Sequence, residues 1–566
     1  MALLAFGAVV VKVVSLQTVD ADRFQRIGEQ QRRVTQILPA DRGVIFDRNG
    51  YELALSIPAT TFWADPRIVK QQPEGAAATA NALTEVLGLE GDEARALRAR
   101  LDRDAEFVYV ARQVDAATAE RIEALELAGV FSYAEARRSF PGGDLAQNLL
   151  GSADLDGVGS AGLEKQYEEV LRGRPGKLYR ERDRNGRTIP TGRKLLEAPT
   201  PGDDLVLTID RTLQYATEEA LKKQVAATGA RGGIVVVMDT KTGDLLALAN
   251  VRSDAETHQP EVSKANLAVV DTYEPGSVAK IITAAAALQE KAVGPATVMQ
   301  VPGQKQYYDH VFTDVHRHLV SAWTIEDIIA YSSNVGTMML SQAIGPAKQE
   351  QYMRSFGLGD RTALQFPGES RGILPPSAKW RGTEKLTVSF GQGVAVTGVQ
   401  LAAAMNTIAN GGVYVAPRLV SATIDERGTE RAAPASDQRT VLEPSVAGTM
   451  NEMLRSVICR GTGRRAALAD YAVAGKTGTA YKAQTNGSYL DDEGNRHYVG
   501  SFAGFVPAEA PRLTILVSID EPVGDHYGGL VATPVFQQVA QEALRVLQVP
   551  PSPQGGACPE RDKGGE

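Results

Sequence analysis

From residue 205 onwards the chain is predicted to open with strands, continue with helices, and close with strands and a helix. This order most constrains its fold. Residues 205–209 (LVLTI), 233–238 (GIVVVM) and 245–249 (LLALA) are short apolar runs, which are typical of buried strands. Residues 512–519 (RLTILVSI) predict a further strand, and 535–547 predict an amphipathic helix. Strands on both sides of a helical middle predict the α+β class with a mainly antiparallel sheet.

The first 200 residues differ in composition and predict a separate region. The dipeptide Asn49-Gly50 lies between two apolar runs and predicts a hairpin. Residues 66–130 are rich in Ala, Glu, Arg and Leu and predict helices. The stretch 185–204 mixes Gly, Pro and charges, and its end is predicted to be a linker.

The two ends of the chain carry their own signals. Residues 1–16 are apolar apart from Lys12 and Ser15, but they are shorter than the roughly 20 residues of a membrane span. The basic start and the cleavage site of a signal peptide are both missing from this run. A buried helix is one interpretation, and we favour a membrane anchor whose cytoplasmic beginning is missing. Residues 549–566 are rich in Pro and Gly and are expected to be disordered.

Composition excludes several classes of protein. With 43% hydrophobic and 23% charged residues, the 566-residue chain is neither wholly disordered nor collagenous. Its net charge of −8 argues against a dedicated nucleic-acid binder. Two cysteines, Cys459 and Cys558, cannot build a disulfide framework or a four-cysteine zinc site, and the sequence leaves their pairing open. They fit either a reducing compartment or an exported protein with a large core.

The first motif that could carry chemistry is Ser277 with Lys280, at the start of an Ala-rich helix. Residues three apart share one face of a helical turn. A serine hydroxyl needs a neighbouring base to become a good nucleophile, and a lysine held neutral can be that base. The alternative is a helix-capping serine beside a solvated lysine.

The second motif is Ser332 with Asn334, at the end of a predicted helix. The hydroxyl could relay a proton, and the amide could hold a peptide carbonyl. The alternative is an ordinary polar helix boundary.

The third motif is the run Lys476, Thr477, Gly478 and Thr479, which follows an apolar stretch. A lysine and hydroxyls on a strand edge could bind a carboxylate, and glycine lets a substrate backbone approach the strand. A second Lys-Thr-Gly begins at Lys241, but it lies in the predicted turn after residues 233–238, so we assign it no catalytic role.

The order of the three motifs is more specific than any one of them. S-x-x-K is followed by S-x-N 55 residues later and by K-T-G-T a further 144 residues on. This trio resembles that of the penicillin-binding transpeptidases and β-lactamases. The segments RGVIFDRNG from Arg42 and GLE from Gly162 resemble pedestal motifs of class B penicillin-binding proteins. FGQG from Phe390 and YGG from Tyr527 resemble the division-specific, FtsI-type branch of that class.

The resemblance implies a domain organisation. Residues 1–16 would be an incomplete membrane anchor, 17–203 an elongated pedestal of the dimerisation type, 204–548 the transpeptidase domain, and 549–566 a disordered tail. The chain would be a single-pass protein of the bacterial cell membrane, with its catalytic domain outside the cytoplasm at the division septum.

The resemblance also implies a role for each site residue. Ser277 would attack a D-Ala-D-Ala stem peptide, Lys280 would take its proton, Ser332 would pass a proton to the leaving amine, and Asn334 would hold the substrate amide. Lys476 would complete the hydrogen-bond network. The Thr477–Thr479 run (Thr477, Gly478, Thr479) would bind the substrate, with the two threonine hydroxyls on its carboxylate. β-Lactams would acylate Ser277 as inhibitors.

The implied function is septal peptidoglycan crosslinking, with no cofactor, no metal and no nucleic acid. The implied partners are an FtsW-type (SEDS) glycosyltransferase, other division proteins and the cytoplasmic membrane. The alternatives are an elongation-type transpeptidase, a D,D-carboxypeptidase or β-lactamase, and a non-enzymatic β-lactam sensor or division scaffold.

Two further features of the sequence bear on the site. His316 and His318 could suggest a metal pair, but no ligand cluster accompanies them, so we expect surface or loop histidines. The polar loop 482–497 follows Thr479 closely, and we expect it to overhang the active site.

Overall fold

A computed structural model describes residues 2–18, 33–73, 75–181, 195–484 and 487–558. The α-helices are α1 (Ala2–Gln17), α2 (Pro66–Lys70), α3 (Gly75–Leu87), α4 (Gly91–Leu101), α5 (Ala116–Glu123), α6 (Gln147–Leu150), α7 (Gly162–Gln166), α8 (Glu168–Leu171), α9 (Arg211–Thr228), α10 (Leu267–Val270), α11 (Lys280–Gln289), α12 (Ile325–Ala330), α13 (Asn334–Ile344), α14 (Pro346–Ser355), α15 (Glu384–Thr387), α16 (Gly398–Ala409), α17 (Pro444–Cys459), α18 (Gly528–Val531) and α19 (Thr533–Val546). Short 3₁₀ helices cover Gly276–Ala279, Ser377–Lys379, Val388–Phe390 and Arg464–Ala466.

The strands are β1 (Arg33–Leu38), β2 (Ile45–Phe46), β3 (Glu52–Ala64), β4 (Val108–Val114), β5 (Val130–Ser139), β6 (Ser152–Ala153), β7 (Gly159–Ala161), β8 (Gly176–Glu181), β9 (Leu195–Glu197), β10 (Asp204–Leu207), β11 (Gly232–Asp239), β12 (Leu245–Ser253), β13 (Pro260–Val262), β14 (Val298–Val301), β15 (Gln304–Tyr307), β16 (His310–Thr313), β17 (Ser321–Thr324), β18 (Val413–Val415), β19 (Val420–Ile424), β20 (Glu430–Ala432), β21 (Gln438–Thr440), β22 (Ala474–Tyr481), β23 (Tyr498–Val506) and β24 (Leu513–Asp520).

A six-stranded antiparallel sheet forms the centre of the C-terminal domain. Its strand order is β13-β12-β11-β24-β23-β22, so β11 and β12 form the expected hairpin and β22 is an edge strand. Val235 and Val237 face the core beside α9 and α19, while Val236 faces the core that includes α11 and α16. Because both faces are covered, the strands are apolar without alternation. The expected α+β class with a mainly antiparallel sheet is confirmed.

The helices against this sheet begin where their sequences predict. Asp210 is the N-cap of α9, and its carboxylate accepts hydrogen bonds from the backbone N–H groups of Thr212 and Leu213. The apolar face of helix α19, which includes Phe536 and Val539, is buried, as the amphipathic pattern predicts. These two helices cover the face of the sheet opposite α11.

A second sheet belongs partly to the N-terminal pedestal. Its strand order is β20-β19-β10-β2-β3-β4, with β5 paired to β3. The predicted Asn49-Gly50 turn joins β2 to β3. Strand β10 pairs in parallel with β2 and antiparallel with β19, so pedestal and C-terminal segments share this sheet. Helices α2 to α5 lie within residues 66–130 as expected, but the stretch also contains β4, whose apolar side chains join the pedestal core.

The two pedestal motifs of the sequence meet in a buried ion cluster. Arg42 Nε donates to Glu164 Oε2 at 2.5 Å, and Arg42 Nη1 donates to Glu168 at 2.6 Å. Arg138 donates to the second oxygen of Glu164 at 2.7 Å. Glu164 is fully buried, so these partners are what compensate its charge.

The ends of the chain differ from expectation in one respect. Helix α1 covers the apolar N-terminal run, and among the described residues no helix combines the length and apolarity that a membrane crossing requires. The tail was expected to be disordered, yet residues 549–558 lie against the C-terminal domain. Ser552 is buried and donates its N–H to the Asp470 carbonyl at 3.0 Å, and Cys558 forms a disulfide with Cys459. Residues 559–566, and 182–194 of the expected linker, lie outside the described residues.

Candidate active site

Ser277 lies in the 3₁₀ turn that leads into α11. Gly276 has φ +52°, and a Cβ at this position would lie 2.8 Å from the carbonyl oxygen of Thr479 on β22. Glycine is therefore required both by the left-handed backbone and by the close approach of the two segments. Ser277 is half-buried, whereas the Ala-rich α11 behind it is almost wholly buried. The serine is thus held between the core and the outer edge of the sheet.

Lys280 is the first residue of α11 and is fully buried. Its Nζ donates to the carbonyl oxygen of Ser332 at 2.6 Å and to Asn334 Oδ1 at 2.7 Å, and it lies 3.2 Å from Ser332 Oγ. None of the hydrogen bonds among the described residues joins Lys280 Nζ to Ser277 Oγ. Lys280 of the first motif thus contacts Ser332 and Asn334 of the second motif.

Ser332 lies at a sharp bend between α12 and α13. Its φ of +60° is unusual for a residue with a side chain, and such conformations concentrate at functional sites. The next residue, Ser333, is the N-cap of α13 and accepts from the N–H of Gly336. The bend turns both the carbonyl and the hydroxyl of Ser332 towards Lys280.

Lys476 approaches the same hydroxyl from the opposite side. It lies on β22, is fully buried, and its Nζ donates to Ser332 Oγ at 2.9 Å and to the carbonyl of Thr477 at 3.1 Å. Ser332 Oγ therefore lies between two lysine amines. One hydroxyl that contacts two amines can receive a proton from one and pass a proton to the other.

The remaining residues of the third motif lie along β22. Thr477 Oγ1 is 2.6 Å from Thr462 Oγ1, and Thr479 Oγ1 accepts from the N–H of Gly528 at 3.2 Å. A Cβ on Gly478 would lie 2.3 Å from Ser501 Oγ and 2.9 Å from Val278 Cγ2. Gly478 thus allows the edge strand to pack against the segment that carries Ser277.

The electrostatics of the site favour neutral lysines. Burial lowers the pKa of Lys280 to about 7, and the carboxylate of Asp314 opposes this by raising it. Burial also lowers the pKa of Lys476 well below its ordinary value, and the positive charge of Lys280 lowers it further. A buried amine with a pKa near neutrality can accept a proton at physiological pH.

Asp314 is the site residue that the sequence analysis missed. It is buried and accepts hydrogen bonds from Ser333 Oγ and from the backbone N–H groups of Asn334 and Val335. A single aspartate in a loop has no characteristic spacing from a motif 18 residues later. The one nearby signal was the histidine pair that follows it: His316 is exposed as expected, but His318 is partly buried and contacts Asp314.

The second Lys-Thr-Gly is remote from this network. Lys241 lies in the turn between β11 and β12, and its Nζ donates to Asn410 Oδ1 at 2.9 Å on the protein surface. Within the described residues, no group of three His, Cys, Asp or Glu side chains could hold a metal ion.

The loop after β22 contacts the segment that precedes Ser277. The hydroxyl of Tyr489 donates to Glu274 at 2.8 Å and is 3.0 Å from its second oxygen. At the base of the loop Lys482 pairs with Asp520 and Glu521. Residues 485–486 of this loop lie outside the described residues.

Comparisons with known proteins agree with this geometry. A family model for the penicillin-binding protein transpeptidase domain matches residues 233–541, and one for the penicillin-binding protein dimerisation domain matches residues 37–207. The chain is 36% identical to penicillin-binding protein PbpB of Mycolicibacterium smegmatis, with 96% of this chain and 89% of the relative covered. It is 32% identical to peptidoglycan D,D-transpeptidase FtsI of Escherichia coli, with 97% and 91% covered.

A solved structure gives the same result at the level of the fold. Penicillin-binding protein 3 of Mycobacterium tuberculosis, complexed with ampicillin, is 31% identical and superposes with a TM-score of 0.70. The superposition covers 92% of this chain and 98% of the other. The similarity therefore extends over both domains.

Proposed function

The chain belongs to the penicillin-binding protein transpeptidase family, in the class B type that also carries a dimerisation domain, and on that premise we propose that it is a peptidoglycan D,D-transpeptidase. One observation carries the proposal: two fully buried lysines, Lys280 and Lys476, meet on the hydroxyl of Ser332 beside the turn that holds Ser277. Burying two amines costs stability, and strongly perturbed titratable groups cluster at functional sites, so this array supports a catalytic role.

Acylation would begin when Ser277 Oγ attacks the carbonyl between the two D-Ala residues of a stem peptide. Lys280 has a pKa of about 7, and its neutral form takes the hydroxyl proton as the new C–O bond forms. The backbone N–H groups of Ser277 and Thr479 would stabilise the oxyanion. The terminal carboxylate of the substrate would lie on the hydroxyls of Thr477 and Thr479.

Collapse of the tetrahedral intermediate would break the C–N bond and release D-Ala. Ser332 donates a proton to the leaving amine and regains one from the amine network of Lys280 and Lys476. Asn334, whose Oδ1 accepts from Lys280, would hold the substrate amide through its own amide group. An amine of a second stem peptide then attacks the ester on Ser277, forming the crosslink and freeing the serine. A β-lactam would follow the first step and leave a stable ester.

We also propose that the enzyme works outside the cytoplasm, at the division septum. The Cys459–Cys558 disulfide supports an oxidising compartment. The FtsI relative supports a division role rather than an elongation role. We propose residues 1–16 as part of a membrane anchor, and an FtsW-type glycosyltransferase and other division proteins as partners. Imaging of a fluorescent fusion would separate the two roles: a septal band supports division, and lateral wall labelling supports elongation.

The deciding experiment supplies purified glycan strands with intact stem peptides. Mass spectrometry of the product should show a crosslinked dimer and free D-Ala, and neither should form with a Ser277→Ala variant. Release of D-Ala without a dimer would indicate a carboxypeptidase instead. Rapid turnover of a penicillin adduct would indicate a β-lactamase, and absence of any adduct on Ser277 would indicate a non-enzymatic scaffold.

A further inference from the structure

A buried carboxylate organises the second motif of the site. Asp314 directly follows β16 and is 8% exposed. Its Oδ1 accepts from the N–H groups of Asn334 at 2.6 Å and Val335 at 3.0 Å, and its Oδ2 accepts from Ser333 Oγ at 2.6 Å. One side chain therefore fixes three consecutive residues at the start of α13, where a negative charge is also favoured by the helix dipole.

The same carboxylate is paired with a histidine whose two ring nitrogens both face oxygen acceptors. His318 Nε2 is 3.0 Å from Asp314 Oδ2, and His318 Nδ1 is 2.7 Å from the carbonyl oxygen of Leu319 and 3.4 Å from Ser321 Oγ. A neutral imidazole has only one N–H, whereas two acceptors are best satisfied by the doubly protonated ring. The ring also packs on Trp323 with 4.2 Å between centroids, which favours a cation. Each ring nitrogen therefore has an oxygen atom to which an N–H can donate.

We propose that Asp314 is a positioning residue for acylation, and that the His318 imidazolium balances its charge so that Lys280 can remain neutral. The proposal rests on the proposed function, because it assigns a role within the same site. Asp314 reaches Lys280 through one residue: it holds the backbone of Asn334, whose side chain accepts from Lys280 Nζ. His318 therefore acts on the S-x-N motif through Asp314, and on Lys280 through Asp314 and Asn334.

The two charges should act on Lys280 in opposite directions. Lys280 is faced by Asp314 from the loop before β17 and by Lys476 from β22, while Asp314 is faced by His318 and by the N-terminus of α13. The Asp314 carboxylate raises the pKa of Lys280 against the effect of burial. Removing that carboxylate should lower the pKa of Lys280. Removing the imidazolium should raise it, since the carboxylate is then unbalanced.

Two conservative variants separate charge from hydrogen bonding. Asp314→Asn is neutral but keeps an oxygen for the N–H groups of α13. His318→Gln is neutral but keeps an N–H for Asp314. The matched controls are Asp425→Asn, whose carboxylate holds backbone N–H groups in the turn between β19 and β20, and His316→Gln at the exposed neighbouring histidine.

The measurement is the acylation rate of the full chain with a fluorescent penicillin, followed from about pH 5 to 9. The acid limb of this profile is the range in which the rate falls as Lys280 becomes protonated. We expect Asp314→Asn to move the midpoint of this limb down by about one pH unit, the scale on which one nearby charge shifts a pKa. We expect His318→Gln to move it up, and both controls to leave it in place. Midpoints that stay fixed while rates fall, or that move in the same direction, would overturn the proposal.

The wild-type profile keeps this inference separate from the proposed function. No acylation of the wild-type chain would refute the proposed function itself. Wild-type acylation with an acid limb that neither variant moves would refute only the inference. If Asp314→Asn does not fold, the direction of the His318→Gln shift decides: an upward shift supports the charge balance, and no shift overturns it.

Discussion

Lys280→Arg is the substitution that most directly tests whether a neutral lysine is the base. With a pKa of about 7, wild-type Lys280 is roughly half neutral at pH 7, about nine-tenths neutral at pH 8 and about one-tenth neutral at pH 6. The acylation rate should therefore fall about fivefold from pH 7 to pH 6, and about tenfold for each further pH unit below 6. Because Lys476 shares the network, the midpoint belongs to the coupled pair of amines.

An arginine at this position stays protonated at every working pH. It cannot accept the proton of Ser277, so the contribution of general-base catalysis, about 10²- to 10⁴-fold, should be lost. Lys280→Met removes the amine with a side chain only one heavy atom shorter, and it should show a similar loss. Since Lys280 is fully buried, the larger arginine adds crowding that costs about 1–3 kcal/mol, and thermal unfolding must be measured alongside activity.

The assay is the second-order rate of labelling by a fluorescent penicillin, with intact-mass confirmation of the adduct. The control is Lys241→Arg in the surface turn, which should label at the wild-type rate across the same pH range. A folded Lys280→Arg protein that labels at nearly the wild-type rate would remove Lys280 as the base. A wild-type rate that is flat through pH 7 would contradict the depressed pKa.

Three other perturbations test neighbouring features. Cys558→Ser opens a disulfide that spans 99 residues, and by the loop-entropy model it should destabilise the C-terminal domain by up to about 4.7 kcal/mol; denaturant unfolding should give the same midpoint for the variant and for the reduced wild type. Tyr489→Phe frees its loop from the segment before the nucleophile, and the acylation rate should change while the melting temperature does not; an unchanged rate would make the loop inert. Gly276→Ala places a Cβ 2.8 Å from the Thr479 carbonyl oxygen at φ +52°, and labelling should fall more than about tenfold, whereas Gly294→Ala, whose Cβ would meet Thr297 Oγ1 at an ordinary 3.7 Å, should have no effect.

The strands that the sequence predicts best are those buried on both faces. Residues 233–238 are a continuous apolar run and 513–519 are apolar apart from Thr514 and Ser518, because α9 and α19 cover one side of the sheet and α11 and α16 the other. The partner of β10 could not be predicted in the same way. It pairs in parallel with β2, about 160 residues earlier, and the residues of the two strands do not indicate that these distant segments pair.

The site divides along similar lines. The three motifs are detectable because each combines residue types with a fixed local spacing, and their order adds specificity. Asp314 and His318 act through tertiary contacts with α13, so neither is distinguishable in sequence from a polar loop residue. The order of the tail was missed for the same reason: a Pro/Gly-rich composition describes local preference, whereas Cys558 is held by a distant helix.

The sheet shared by β2 and β10 has a mechanical consequence. Asn49, in the turn after β2, donates to the carboxylate of Asp210, and the N–H of Arg211 donates to Asp47 in return, so the joint continues into the first turn of α9. A force applied to the pedestal is therefore transmitted to the C-terminal domain through these hydrogen bonds rather than through a flexible linker. A chain that began at residue 204 would lack β2 and would leave one edge of β10 unpaired. The C-terminal domain is therefore structurally continuous with the pedestal and is not an independent module.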